Sequence, residues 1–143
     1  MAETRETVAV PANAEGVGAA MAAFETFVAA RGVPAPASRR FLVALDEVLS
    51  NIVRHGRPSP ATIDLTFSLA EEVLEVELVD STGPFNPLDA PPPDTSAPLD
   101  ARRPGGVGIA LVRAVMDRVR YERRGERNVL TLSARLAPAG AGD

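Results

Sequence analysis

The chain has 143 residues, 45% of them apolar and 24% charged, which fits one domain with a single hydrophobic core. It has no cysteine and one histidine, which excludes disulfides, thiolate metal sites and zinc sites built from several imidazoles. A net charge of -4 argues against sequence-independent binding to nucleic acid, and no apolar run approaches the roughly 20 residues of a membrane helix. Since the N-terminus also lacks the regions of a signal peptide, we expect a cytoplasmic protein whose partners are proteins or small molecules.

The N-terminal part of the chain predicts one strand and two helices. Residues 3–10 alternate enough for a strand, and Asn13 follows as a helix cap. A first helix over residues 16–30 carries apolar side chains at helical spacing. A second helix begins near Ser38 and runs to Gly56, which we expect to end it in the left-handed conformation.

The C-terminal part predicts two β-hairpins, separated by a long loop and a helix. Residues 61–69 and 73–80 alternate apolar with polar side chains, which indicates the first hairpin. Residues 86–104 hold six prolines and show no helical or strand period, and a loop of this length is usually functional or disordered. A helix over 105–119 follows, then a hairpin over 118–136. The apolar residues of that helix expected to face the core are Ile109, Leu111, Val112, Val115 and Met116.

This order of elements predicts the architecture of the domain. Strands joined mostly by hairpins favour a mixed, mostly antiparallel sheet, and three helices that each bury one stripe are best placed on one face of it. We therefore predict a two-layer α/β sandwich. It forms a single domain over residues 1–137, followed by a frayed tail over residues 138–143.

The basic residues restrict the kinds of nucleotide site that the chain can form. All 15 of them are arginine. A P-loop needs a lysine on the terminal phosphates, and the protein-kinase fold needs a strand lysine paired with a helix glutamate, so both are excluded. If this protein binds ATP, its phosphates must be met by backbone N–H groups, a metal ion and arginine.

Three polar clusters stand out from the apolar pattern. Glu47, Asn51 and His55 are four residues apart, so one face of the second helix carries a carboxylate, a carboxamide and an imidazole. Residues 80–85 follow a strand, and residues 104–108 place three glycines where backbone N–H groups can approach phosphates at a helix start. Each cluster alone is more often a solvated helix edge, a turn or a flexible helix entry. Together they indicate a nucleotide site.

The segments 47–55, 80–87 and 104–112 resemble, in order and spacing, the ATP-binding boxes of the GHKL superfamily, which has the Bergerat ATP-binding fold. That superfamily contains gyrase-type ATPases, histidine kinases and bacterial anti-sigma factor kinases. Residues 116–132 and the pair Phe85-x-Pro87 look most like the small stand-alone branch, the anti-sigma serine kinases. The resemblance covers about residues 4 to 136.

The resemblance implies a role for each matching residue. Glu47 would be the catalytic base, Asn51 the protein ligand to Mg²⁺, and His55 a neighbour of the phosphates or of the ATP lid. Asp80 would accept the adenine amino group, and Asn128 matches the residue offered to the adenine-bound water, with Thr131 a weaker candidate. The other positions assigned to ATP are Thr82, Gly83, Phe85, Gly105, Gly106, Val107 and Gly108, and residues 86–104 correspond to the ATP lid.

Two functions follow, and the sequence leaves both open. By resemblance, the chain is an ATP-dependent serine/threonine protein kinase and anti-sigma factor, which sequesters a sigma factor or phosphorylates a STAS-domain antagonist. Homodimers are common in this branch, while direct nucleic-acid and membrane partners are not expected. The alternative is a catalytically inactive GHKL-fold binding module that sequesters a regulatory partner. It is motivated by Thr82, which puts a side chain where the superfamily has a glycine.

Overall fold

The computed structural model describes residues 4–56, 61–84 and 106–136. The predicted lid over residues 86–104 and the predicted tail over residues 138–143 lie outside the described residues, as do Phe85 and Gly105. In chain order the elements are β1 (Thr4–Pro11), α1 (Ala14–Ala30), α2 (Ala35–His55), β2 (Thr62–Ala70), β3 (Val73–Asp80), α3 (Gly106–Val115), β4 (Arg118–Arg124) and β5 (Arg127–Arg135).

The described strands form one five-stranded sheet in the order β1-β2-β3-β5-β4. Each neighbouring pair is antiparallel, so the described sheet has none of the parallel pairing that a mixed sheet would contain. In β3 the buried Leu74, Val76 and Leu78 alternate with less buried glutamates, which is the period of a strand with one covered face. The predicted two-layer α/β sandwich is confirmed.

Aromatic side chains join α1 and α2 to the sheet. Phe24 of α1 stacks on Phe41 of α2 with ring centroids 5.6 Å apart. Phe67 of β2 meets Phe24 edge-on at 5.7 Å and lies 5.5 Å from Phe27. Such pairs contribute about 0.5–1.5 kcal/mol each beyond the burial of their surface, so this cluster fixes how the two helices sit on the sheet. In the described part of the chain, no helix has the length and apolarity needed to cross a membrane.

The third helix is shorter than predicted. α3 ends at Val115 rather than Val119, because Arg118 onward pairs with β5 as strand β4. Ile109, Val112 and Met116 are buried as expected. Leu111, however, was wrongly assigned to the core: it is 42% exposed, because it lies on the side of the helix turned away from the sheet.

Two tight turns close the hairpins. Glu71 and Glu72 join β2 to β3 with φ of 52° and 65°, a pair of positive values that matches the twist of antiparallel strands. Gly125 supplies the positive φ, 63°, in the turn between β4 and β5. That turn sets the register in which Arg123 lies opposite Asn128, a pairing on which the candidate site depends.

The connection between β1 and α1 depends on Asn13 and Gly16. Asn13 caps α1 as predicted, since its Oδ1 accepts the N–H of Gly16 at 2.8 Å. A Cβ on Gly16 would overlap the backbone oxygen of Pro11, whereas a Cβ on Gly18, half a turn further along, would meet nothing within 4 Å.

We therefore expect opposite effects from the same substitution at these two glycines. Gly16→Ala should lower the free energy of unfolding by about 1–3 kcal/mol, because β1 and α1 must separate to admit the methyl group. Gly18→Ala should raise it by up to about 1 kcal/mol, because alanine favours a helix interior over glycine. Urea denaturation of both variants measures the difference; equal effects would show that the contact with Pro11 is not tight.

Candidate nucleotide site

A small cavity separates the second half of α2 from β3, β5 and β4. The space in it that a water-sized sphere can reach is about 20 Å³, which is room for one water molecule, and it is partly open to solvent. Apolar side chains form most of its wall, and polar groups enter it from α2, β3, β4 and β5. The lining residues are Val48, Asn51, Ile52, Asp80, Tyr121, Asn128 and Leu130. Asn51 and Asp80, assigned separately from sequence, therefore line the same cavity.

Asn51 is an unusual residue for the buried face of a helix. Its side chain is 4% exposed, and its Oδ1 is a buried acceptor that receives no hydrogen bond from the described residues. Leaving such an atom unpaired costs about 1–3 kcal/mol, so a ligand that takes this oxygen would remove the penalty. A carboxamide oxygen is a ligand that a hard cation such as Mg²⁺ accepts, so Asn51 fits the predicted metal ligand.

The other two residues of the helix motif differ in burial. Glu47 is half-buried one turn before Asn51, so it lies on the same face of α2 near the cavity. His55 is exposed in the last turn of α2 and does not line the cavity. A histidine at this end of a helix is also favourable simply through the helix dipole.

Asp80 and Asn128 meet because of the strand register. β3 pairs with β5 so that Asp80, the last residue of its strand, lies opposite Asn128. Asn128 Nδ2 donates to Asp80 Oδ1 at 3.2 Å. The same Oδ1 accepts the N–H of Thr82 at 2.9 Å and its hydroxyl at 2.5 Å. All three bonds reach Oδ1, so they leave Asp80 Oδ2 for another donor. Thr131, the weaker candidate, is three positions from Asn128 and points to the other face of the sheet.

Thr82 does not project into the cavity. Its side chain is 1% exposed and turns toward Asp80, and its hydroxyl also accepts from Asn128 Nδ2 at 2.8 Å. The methyl group packs against the end of α2, where a Cβ on Gly56 would come within 2.5 Å of Thr82 Cγ2. Gly56 was wrongly expected to be left-handed: its φ is -65°. Glycine is required there by the contact with Thr82 and not by the backbone conformation.

Two residues that the sequence did not indicate complete this polar cluster, which we define as Asp80, Thr82, Tyr121, Arg123 and Asn128. Tyr121 donates its hydroxyl to Asn128 Oδ1 at 2.6 Å. One nitrogen of Arg123, Nη1, donates to Asn128 Oδ1 at 3.1 Å and to the carbonyl of Thr82 at 2.8 Å. Arg123 is half-buried although it lies beside the turn between β4 and β5. The register of the hairpin could have indicated this contact, because it places Arg123 opposite Asn128.

Part of the glycine-rich segment over residues 104–108 lies within the described residues. Gly106, Val107 and Gly108 form the first turn of α3, so the predicted glycine-rich helix start is confirmed for these three residues. α3 packs beside α2, the helix that carries Asn51. Gly83 lies in the turn after β3, where its carbonyl accepts from Asn128 Nδ2 at 3.0 Å.

The family model of the histidine kinase-like ATPase domain matches residues 10–134. The chain belongs to this family. Among relatives of the histidine kinase-like ATPase, serine/threonine-protein kinase BtrW of Bordetella bronchiseptica is 37% identical over 103 residues, which cover 69% of this chain and 72% of that protein. Serine-protein kinase RsbW of Halalkalibacterium halodurans is 29% identical over 115 residues, 77% of this chain and 70% of that one. The expected family is therefore confirmed.

Solved structures agree on the fold of this histidine kinase-like ATPase. The RsbU and RsbW domains of Rv1364c from Mycobacterium tuberculosis superpose with a TM-score of 0.67 at 16% identity, covering 92% of this chain. This chain spans 32% of that protein's length. The SiaB-SiaC complex from Pseudomonas aeruginosa gives a TM-score of 0.51 at 13% identity, covering 90% of this chain and 88% of the matched one.

We expect the hydroxyl of Thr82 to stabilise the fold from its buried position. Thr82→Val keeps the shape of the side chain but removes a donor to Asp80 Oδ1 and an acceptor from Asn128. It should lower the free energy of unfolding by about 1–3 kcal/mol. Thr66→Val is the matched control, since Thr66 Oγ1 bonds to the exposed Thr7 hydroxyl, and it should change stability by less than about 0.5 kcal/mol. Similar losses in urea denaturation would refute the buried network.

Proposed function

We propose that the chain is an ATP-dependent serine/threonine protein kinase that also acts as an anti-sigma factor. Family membership and two relatives named as protein kinases support the reaction type. The observation that carries the proposal is a pair of oxygens on one cavity: Asn51 Oδ1, which has no hydrogen-bond partner among the described residues, and Asp80 Oδ2, which the three donors to Oδ1 leave for a ligand. One suits a cation, and the other suits the amino group of a base.

In this proposal the chain binds ATP between α2 and the sheet. Asp80 Oδ2 accepts the 6-amino group of adenine, while Val48, Ile52 and Leu130 give the base an apolar contact surface. Asn51 holds Mg²⁺ through Oδ1, and the ion, when bound, neutralises charge on the phosphates. The first turn of α3, with Gly106, offers its backbone N–H groups to phosphate oxygens, a role that needs no lysine. Asp80 is held in its orientation by the hydrogen-bonded residues on the side away from the base, which are Thr82, Gly83 and Asn128.

Glu47 is the proposed catalytic base. Its position one turn before Asn51 puts a carboxylate beside the proposed metal and phosphates. Glu47 accepts the proton of a serine hydroxyl on the substrate protein as that oxygen bonds to the terminal phosphorus of ATP. The bond from that phosphorus to the bridging oxygen breaks, and ADP leaves with the electron pair. Phe85, Gly105 and residues 86–104, outside the described residues, are assigned to ATP and its lid by resemblance alone.

The proposed partners are proteins in the cytoplasm. We propose that a STAS-domain antagonist supplies the phosphorylated serine and that a sigma factor is the sequestered partner. The chain itself forms a homodimer in this proposal. Incubation with Mg²⁺, ATP and candidate STAS-domain proteins tests the reaction, since intact-protein mass spectrometry detects the gain of one phosphate. Unchanged mass for every candidate would count against kinase action.

Asn51 should control the metal dependence of ATP binding. Asn51→Ala removes the proposed ligand oxygen and should weaken ATP binding in Mg²⁺ by about tenfold or more, measured by isothermal titration calorimetry. Asn51→Asp keeps an oxygen at the same place and should retain the metal dependence. With EDTA in place of Mg²⁺, wild type and Asn51→Ala should bind ATP alike. If Asn51→Ala lowers affinity equally with and without Mg²⁺, Asn51 is not the metal ligand.

Glu47 should affect the rate of phosphoryl transfer and not the affinity for ATP. Glu47→Gln keeps the size of the side chain but removes its basicity, so the phosphorylation rate should fall about 10²- to 10⁴-fold while the Kd for ATP stays within about twofold. Asp46→Asn is the matched control, because Asp46 is the exposed neighbour on the same helix and should leave the rate unchanged. Phosphorylation of the substrate by Glu47→Gln at the wild-type rate would remove Glu47 from the mechanism.

A second function, a catalytically inactive binding module, is favoured by one observation. Between the described residues, the space accessible to a water-sized sphere is about 20 Å³, which is less than a purine needs, so a base must displace side chains there. If no nucleotide enters this cavity, the same fold would sequester its partner without phosphoryl transfer. Calorimetric titration separates the two functions: binding of ATP with Mg²⁺ that is lost in Asn51→Ala supports the kinase, and undetectable binding supports the inactive module.

A further inference from the structure

The amide of Asn128 has one orientation that suits its surroundings. Arg123 can only donate hydrogen bonds, so the group facing its Nη1 must be Asn128 Oδ1. On the other side, Asp80 Oδ1 accepts from Asn128 Nδ2, which is the donor end of the same amide. The side chain thus lies between a guanidinium and a carboxylate with each end matched, and the two charges polarise it in the same direction.

Arg123 also holds the turn that follows Asp80. The nitrogen that bonds to Asn128 reaches the carbonyl of Thr82 at 2.8 Å, the shorter of its two contacts. Thr82 in turn supplies two of the three donors to Asp80 Oδ1. All three donors on that oxygen therefore come from residues that Arg123 touches. Arg123 itself does not line the cavity.

We propose that Arg123 is a positioning residue for base recognition, a role that rests on the proposed ATP site. Acting through Asn128 and Thr82, it keeps Asp80 Oδ1 fully occupied, so that Oδ2 alone faces the nucleotide as a fixed acceptor. A fixed acceptor selects a purine with a 6-amino group. It rejects a 6-oxo purine, whose oxygen would face the carboxylate without a hydrogen between them.

The pair ATP and ITP isolates this contact, because the two nucleotides differ only at position 6 and in the protonation of N1. We expect the wild-type protein with Mg²⁺ to bind ATP about 10- to 100-fold more tightly than ITP, the range for one hydrogen bond to a charged group. Arg123→Met removes both hydrogen bonds of Nη1 and should reduce this ratio about tenfold. Arg123→Lys retains a single cationic nitrogen and should keep most of the ratio.

The ratio of the affinities for ATP and ITP distinguishes a positioning role of Arg123 from a role in stability. A role limited to stabilising the fold would lower the affinities for ATP and ITP by the same factor, and an unchanged ratio in Arg123→Met would overturn the inference. Thermal melting identifies a variant that fails to fold. In that event Arg123→Gln, which keeps a polar side chain but loses the charge and reach of the guanidinium, should reduce the ratio about threefold or more, and no change would be equally decisive.

The test also distinguishes this inference from the proposed function. Absence of ATP binding by the wild-type protein would refute the ATP site, and with it the role of Arg123. Clear ATP binding with the same preference in wild type and Arg123→Met would leave the ATP site standing and overturn the positioning role alone.

Discussion

The antiparallel pairing of β3 with β5 brings a carboxylate and a carboxamide face to face in the interior, and the rest of the candidate site is arranged around that contact. A buried carboxylate is tolerated only when it is well hydrogen-bonded, and Asp80 receives three hydrogen bonds on Oδ1 from the described residues. Thr82 and Asn128 take up Oδ1, and in the proposed site Oδ2 accepts from the base beside an apolar wall. The proposed site for a base thereby arises from the way the strand end is stabilised.

The opposite wall of the cavity is α2, where Asn51 Oδ1 has no partner within the described part of the chain. Asn51 occupies a position that an apolar residue would fill without any desolvation penalty, and Val48 and Ile52 on either side show what the surroundings favour. The stacking of Phe41 on Phe24 anchors the first half of the same helix. Aromatic packing at one end of α2 thus supports a costly polar group nearer the other, as expected where stability is given up for function.

How far the sequence predicts this structure depends on the range of the interactions involved. The period of α2 was sufficient to set Asn51 one turn from Glu47, and the end of β3 singled out Asp80, because both signals are local, but the burial of Asn51 was not predicted. The contacts of Arg123 were missed because they need the register of a hairpin and a turn 41 residues away in sequence. Likewise, the requirement for glycine at position 56 is set by Thr82 across the fold, which the φ preference of glycine does not reveal.

The central claim is that one cavity, between α2 and the β3–β5 pair, binds ATP with the base on Asp80 and the metal on Asn51. The most direct measurement is a crystal structure of the protein with Mg²⁺ and a non-hydrolysable ATP analogue. We predict the 6-amino group within hydrogen-bonding distance of Asp80 Oδ2 and Asn51 Oδ1 in the coordination shell of the ion. A nucleotide bound elsewhere, or a metal shell without Asn51, would contradict the account.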